Sequence, residues 1–244
     1  MKGTLYCVSV GPGDPELMTL KAVRIIRQCQ IIALSADGRA AGLMEGKDTR
    51  EERMKCVAYS IAWGAVPQLD EKEILPLSMP MTKDRQSLEQ SHRAAASSIE
   101  RFLKEGKDVA YLTLGDTSVY ASCMYPAAIL KKEGWPVQMV SGVTSFCAAS
   151  ARLGEALVSG SEQLHILPSS YEVEKALDLP GVKVLMKSGK KLETVKELLK
   201  ARGDEVTAVE RCGMEGERIF HSLEELPPDA GYYTTLIVRK APLD

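Results

Sequence analysis

Apolar positions along the chain fall into two kinds of run, short unbroken ones and longer ones recurring every three or four residues. Their alternation predicts an α/β protein. Residues 5–10 are mostly apolar and β-favouring and read as a first strand. It ends in Gly11-Pro12-Gly13-Asp14-Pro15, where two glycines allow tight backbone geometry and Asp14 is placed to cap a helix whose first residue is Pro15. That helix runs to about residue 28. Met18, Ala22, Ile25 and Cys29 form its apolar stripe, and Lys21, Arg24 and Arg27 its polar face. Residues 30–34 make a second strand, so β-loop-α-β predicts parallel pairing.

From 35 to 66 the pattern weakens, and the charged stretch 45–55 suggests an exposed helix without definable limits. Residues 74–77 read as a third strand, entering the loop Met79-Pro80-Met81-Thr82-Lys83-Asp84, where Pro76 and Pro80 interrupt regular structure. Leu88, His92, Ala95, Ile99 and Phe102 then mark a long helix ended by Gly106. A fourth strand, 109–114, meets Gly115-Asp116, and a helix is expected over 119–132 with Asp116 or Ser118 as its cap. Gly134-Trp135-Pro136 turns the chain into a fifth strand, 137–140, and a helix of small residues, 146–153, follows.

The length of 244 residues suits two α/β domains, expected at 1–141 and 142–244. The second domain should have strands over 164–167, 182–186, 206–210, 218–221 and 232–239 and a helix over 191–201. There is no internal repeat and no low-complexity segment.

Composition narrows the function. With 31 basic and 33 acidic residues the net charge is −2, so no global field points to nucleic acid or an anionic membrane. No apolar run approaches the roughly 20 residues of a membrane span. The N-terminus enters a strand-like run without a signal-peptide pattern, from which a cytoplasmic location is expected. The six cysteines, Cys7, Cys29, Cys56, Cys123, Cys147 and Cys212, contain no C-x-x-C pair and read as reduced, mostly buried thiols.

Several common chemistries fail on detail. The first loop resembles a dinucleotide fingerprint only superficially, because Glu16 stands where the third glycine should be. Ser188-Gly189-Lys190-Lys191 lacks the upstream glycine of a P-loop and the Ser or Thr after the lysine. His92, His165 and His221 show no metal-ligand spacing, and His92 reads as a half-buried helix residue. There is no G-x-S-x-G elbow, and Cys147 has no partner that can be tied to it. What remains is the Gly115-Asp116 turn at the carboxyl end of a buried strand, where open α/β sheets bind ligands. The same residues also suit an ordinary strand-to-helix turn.

Three blocks, Val10-Gly11-Pro12-Gly13-Asp14-Pro15-Glu16-Leu17-Met18-Thr19, then Leu112-Thr113-Leu114-Gly115-Asp116 with Tyr120, then Gly142-Val143-Thr144-Ser145-Phe146, resemble in content, order and spacing the tetrapyrrole methylases that use S-adenosylmethionine. The resemblance continues through Val184-Leu185-Met186-Lys187, Val209-Glu210-Arg211-Cys212-Gly213 and Tyr233-Thr234-Thr235-Leu236, and so covers nearly the whole chain. Within that family Pro80-Met81-Thr82-Lys83-Asp84 and the Ser-Phe after Val143-Thr144 resemble the C20-methyltransferases acting on precorrin-2 or cobalt-factor II in cobalamin biosynthesis. Two positions depart from the family pattern: Thr117 and Ser141 stand where proline is usual.

The resemblance implies two α/β/α domains of the class III methyltransferase fold, a cofactor cleft between them, a homodimer and no protein-bound metal. Carried over block by block, it implies cofactor contacts at Pro12, Leu114, Gly115, Asp116, Val119, Thr144, Ser145, Met186, Cys212 and Thr235. These residues offer backbone groups, a carboxylate, hydroxyls and an apolar slot, matching a ligand with an amino-acid end, an adenine and a sulfonium but no phosphate. An anionic tetrapyrrole also needs cations, and Arg39, Lys83, Arg85, Lys187, Lys190 and Arg211 lie in or beside loop-like stretches, where each equally suits a solvated surface charge. No general base is indicated, since a sulfonium and an electron-rich meso carbon need alignment and dryness more than a nucleophilic side chain. Other acceptors on the same fold (uroporphyrinogen, a diphthamide precursor, ribosomal RNA) stay open, as does a non-catalytic binder of a tetrapyrrole or nucleoside.

Overall fold

In the computed structural model, which describes residues 2–36, 38–169, 173–187 and 191–240, the chain forms two compact units, Met1–Thr144 and Ser145–Asp244. The sequence-based division stands at 141/142; each unit has its own sheet.

The first unit runs β1 (Leu5–Ser9), a 3-10 turn (Pro15–Leu17), α1 (Leu20–Gln28), β2 (Ile31–Ser35), a 3-10 turn (Gly38–Leu43), α2 (Arg50–Met54), α3 (Val57–Ala65), a 3-10 turn (Pro67–Glu71), β3 (Glu73–Leu77), α4 (Arg85–Lys104), β4 (Val109–Thr113), α5 (Met124–Lys132) and β5 (Val137–Val140). Its five strands are all parallel, in the order β3-β2-β4-β1-β5. A parallel sheet is covered on both faces, which is why its inner strands β1, β2 and β4 read as mostly apolar, buried runs. On one face Leu5, Cys7, Ile31, Ala33, Val109 and Tyr111 pack with Ala95, Ile99 and Phe102 of α4 and Ala127 and Leu130 of α5. Each fully buried aliphatic side chain there stabilises the fold by roughly 1.5–3 kcal/mol.

The second unit runs α6 (Ser145–Leu153), β6 (Leu164–Pro168), α7 (Glu174–Leu177), β7 (Val182–Met186), α8 (Leu192–Arg202), β8 (Glu205–Glu210), β9 (Arg218–Phe220) and β10 (Thr234–Arg239). Its sheet order is β6-β7-β10-β8-β9. β6 and β7 pair in parallel; β10 is antiparallel to both β7 and β8, and β9 to β8.

Three expectations need correction. The first helix does not run unbroken from Pro15: Asp14 caps only the 3-10 turn, and Thr19, extended and accepting from the Ala22 N–H at 3.2 Å, starts α1 afresh. Its stripe survives, with Ala22, Ile25 and Cys29 buried. β1 and β2 are parallel but not neighbours, because β4 lies between them. The helix after β4 begins at Met124 rather than 119, since Tyr120 takes a left-handed backbone at φ 52°, which no α-helix accommodates. The weakly patterned stretch 35–66 contains α3, whose Tyr59, Ile61 and Ala62 are buried. Pro76 is tolerated because β3 is an edge strand.

Candidate functional site

Neighbouring strands β4, β1 and β5 deliver three glycine-bearing loops to one carboxyl edge of the first sheet, the edge at which open α/β sheets take ligands. Gly11 and Gly115 form a backbone bridge, the Gly115 N–H donating to the Gly11 carbonyl at 2.8 Å and the Gly11 N–H to the Gly115 carbonyl at 3.3 Å. Both sit at positive φ, 77° and 73°, which glycine alone adopts without strain. A Cβ built on Gly115 has nothing within 4 Å among the described residues, so the turn faces free volume. Gly142 serves the opposite need: a Cβ there would lie 2.4 Å from the Ser9 Cβ and 2.6 Å from the Gly115 carbonyl oxygen. Absence of a side chain lets the loop after β5 press against the other two.

Asp116 holds this arrangement. Its carboxylate is buried and accepts from the Ser118 N–H at 2.8 Å, from the Ser118 hydroxyl, and from the Gly142 N–H at 2.6 Å. Burial pushes its pKa up, but the bonds from the Ser118 hydroxyl, the Gly142 N–H and the Ser118 N–H outweigh that, leaving it below the ordinary aspartate value. The expectation that Asp116 or Ser118 caps the next helix is thereby corrected: α5 has Cys123 at its N-cap, without a side-chain bond, and Asp116 serves the loops. Ser9, fully buried, accepts from the Thr117 N–H at 2.9 Å and braces the same turn. It was not among the expected site residues, although a hydroxyl interrupting an apolar strand next to its carboxyl end is a usable signal.

Of the other expected positions in this unit, Pro12 is buried beside Gly11, and Leu114 and Val119 are half-buried on either side of the turn, which the Val119 N–H closes on the Asp116 carbonyl at 3.1 Å. Thr144 presents a buried hydroxyl oxygen with no hydrogen-bond partner among the described residues. Leaving a buried hydroxyl unmatched costs on the order of 1–3 kcal/mol, so this atom fits a ligand that supplies the missing bond. Lys83, on the loop after β3, and Arg85, the first residue of α4, are exposed, and β2 stands between β3 and β4. Lys190 and the Arg39 side chain lie outside the described residues.

The second unit gathers its own expected positions. Met186 and Thr235 are direct partners across β7 and β10, and the Thr235 hydroxyl lies 3.4 Å from that of Ser145 at the start of α6. Cys212 is buried just past β8. Lys187 and Arg211, the first residues beyond β7 and β8, both take left-handed backbones, φ 59° and 54°. Burial pushes the Lys187 ammonium below the ordinary lysine range. His92 also lies lower than usual through burial and stacks on Tyr125 at 4.3 Å. Five cysteines are buried and Cys147 is exposed, all as free thiols. Among the described residues no three His, Cys, Asp or Glu side chains are placed to hold a metal ion, and no helix is long and apolar enough to cross a membrane.

Chemically, the described residues of the first unit offer backbone donors and acceptors around free volume and one unmatched hydroxyl. That set suits holding a polar ligand. The model of the family described as Tetrapyrrole (Corrin/Porphyrin) Methylases matches residues 4–227. The chain is 33% identical over 240 residues to the probable cobalt-precorrin-2 C(20)-methyltransferase of Methanocaldococcus jannaschii, covering 97% of this chain and 96% of that protein. It is 29% identical over 249 residues to the precorrin-2 C(20)-methyltransferase of a Sinorhizobium species, covering 97% and 95%. The crystal structure of the uroporphyrin-III C-methyltransferase of Thermus thermophilus complexed with S-adenyl homocysteine shares the fold, with a TM-score of 0.66, 21% identity and 97% of each chain covered.

Proposed function

We propose, from the premise that this chain belongs to the tetrapyrrole (corrin/porphyrin) methylase family, that it transfers a methyl group from S-adenosylmethionine to C20 of precorrin-2 or of its cobalt form, in cobalamin biosynthesis. The observation that carries the acceptor is coverage: two C20-methyltransferases align with 97% of the chain, at 33% and 29% identity. The cofactor rests on family membership, and the residues present fit it. Gly115 opens onto free volume, the Thr144 hydroxyl has no partner among the described residues, and the adjoining backbone supplies donors and acceptors of the kind an amino-acid end and an adenine require.

The positions proposed to contact the cofactor are Pro12, Leu114, Gly115, Asp116, Val119 and Thr144 in the first unit and Ser145, Met186, Cys212 and Thr235 in the second. When bound, the sulfonium supplies an electrophilic methyl group. The chain's own part is then to orient and to exclude water. Asp116 and Ser9 fix the loop backbones, Thr144 offers its hydroxyl, and Met186 offers an apolar wall. Alignment and dryness of this kind supply on the order of several kcal/mol of barrier lowering without a side-chain nucleophile. A homodimeric, cytoplasmic enzyme without bound metal belongs to the same proposal and rests on the family.

Incubation with methyl-labelled S-adenosylmethionine and either metal-free or cobalt-loaded acceptor, followed by carbon NMR of the product, is the test. Label at C20 is expected, and the form that accepts it decides the acceptor. Label at another ring position, or none on either macrocycle, sinks the assignment. Sedimentation at micromolar concentration should show one species of twice the chain mass.

A further inference from the structure

We infer that the edge of the second unit's sheet where β7 and β8 end and β10 begins is a recognition surface for a polycarboxylate macrocycle, with Lys187 and Arg211 as its two cations. The inference rests on the methyl-transfer proposal and deepens it, naming residues that meet the acceptor rather than the donor.

Topology brings the two cations together. β7 and β8 each pair antiparallel with β10, so they run parallel to one another and both carboxyl ends flank the first residues of β10. Lys187 follows Met186, the register partner of Thr235, and Arg211 follows Glu210, the partner of Thr234. The Arg211 N–H donates to the Tyr233 carbonyl at 3.1 Å, continuing the ladder one residue beyond the strand. With neighbouring strands about 4.8 Å apart, the two cationic positions stand about 10 Å apart at their backbones. That separation suits two different acid arms of one macrocycle rather than a single carboxylate.

Backbone conformation singles out the same pair. Among the described residues the non-glycine positions with positive φ are Tyr120, Lys187 and Arg211. Left-handed backbone disfavours any side chain with a Cβ, and glycine or asparagine normally takes it. Long cationic side chains kept at two such positions on one sheet edge are therefore held there for what the side chains do. Among the described residues, the carboxylates next to Arg211 in sequence are engaged by other groups. Glu210 is taken by Arg218 Nε and by the Gly231 N–H, both at 2.6 Å, and Glu217 by Arg152 and the Gly213 N–H.

Between and beside the cations lies aromatic surface. Tyr232 and Tyr233 are each 39% exposed and meet edge to face at 5.5 Å, directly before β10. Rings held by one another offer a flat apolar contact at little entropic cost. Standing at the same sheet edge as the two cationic positions, an exposed ring of this kind matches an extended ring system with carboxylates at its rim.

The test uses the full chain with uroporphyrin III as the polycarboxylate probe and S-adenosylhomocysteine as the cofactor probe. Because glycine fits left-handed backbone, Lys187→Gly and Arg211→Gly should fold, with melting temperatures equal to or above the parent's. Each should bind uroporphyrin about tenfold more weakly, as expected for losing one charge-assisted contact, with S-adenosylhomocysteine affinity within about twofold of the parent's. Unchanged uroporphyrin affinity overturns the inference. So does a fall in melting temperature, which assigns the side chains to the fold, or an equal fall in cofactor affinity, which assigns them to the donor. A parent chain that binds S-adenosylhomocysteine but no macrocycle refutes this surface alone, whereas one that binds neither refutes the methyl-transfer proposal beneath it.

Discussion

Across 26 residues of chain, the Asp116 carboxylate accepts the backbone N–H of Gly142 at 2.6 Å, tying the turn after β4 to the loop after β5 with the end of β1 between them. Asp116→Asn keeps the shape but offers one acceptor oxygen and turns an amide N–H₂ toward a donor. Chemical denaturation should show a loss of about 1–3 kcal/mol. The pH dependence has a defined sign. Because the folded pKa lies below the ordinary value of 3.8, the carboxylate's contribution is fully present above that value and is lost as pH falls through the lower, folded one. The gap in stability between parent and Asp116→Asn should therefore be constant from neutral pH to about 5 and close below about 4. A gap that widens on acidification would contradict the tether.

Gly115→Val places a branched side chain in free volume and on left-handed backbone. The strain is on the order of 1–2 kcal/mol, small enough for the chain to remain folded. S-adenosylhomocysteine affinity, measured by calorimetric titration, should fall below detection. Undiminished affinity in a folded variant would remove the glycine turn from the cofactor site.

Gly142→Ala tests the close approach instead. Its Cβ would meet Ser9 Cβ at 2.4 Å and the Gly115 carbonyl at 2.6 Å, contacts that only backbone movement relieves. Thermal unfolding should report a loss of about 1–3 kcal/mol, the usual range for overpacking. Cofactor affinity should fall with it, because the displaced atom is the carbonyl of Gly115.

Thr144→Val removes a buried hydroxyl oxygen that has no partner among the described residues. Without ligand the variant should be as stable as the parent or more so, since an unmatched polar atom gives way to a methyl of similar volume. S-adenosylhomocysteine affinity should drop about tenfold, equivalent to roughly 1.4 kcal/mol. A loss of stability in the ligand-free protein would show that the hydroxyl serves the fold.

Local pattern carried a large part of this protein. The inner strands β1, β2 and β4 were legible because burial on both faces demands mostly apolar runs, and β5 lies at 137–140, after the turn that Gly134-Trp135-Pro136 predicts. The stripe of α1 and the long α4 were legible because amphipathicity and glycine termination act within one or two turns of chain, and Asp14 was legible as a cap although it serves only the 3-10 turn. The blocks around Gly11, Gly115 and Gly142 meet at one carboxyl edge of the sheet. Family membership, too, was present in those blocks before any coordinates.

Tertiary structure alone decided the rest. Periodicity says that β1 and β2 are buried strands but not that β4 separates them, because either order buries the same side chains. Asp116 looked like a helix cap because Asp at such a position usually is one; the competing donor, the Gly142 N–H, is remote in sequence and became available only when β5 packed beside β1. Left-handed backbone at Lys187 and Arg211 carries no local signature, since glycine is its usual mark and neither residue is one. Short-range preferences are written along the chain, whereas strand order, tethers between loops and strained positions arise from contacts that form only when distant segments share one core.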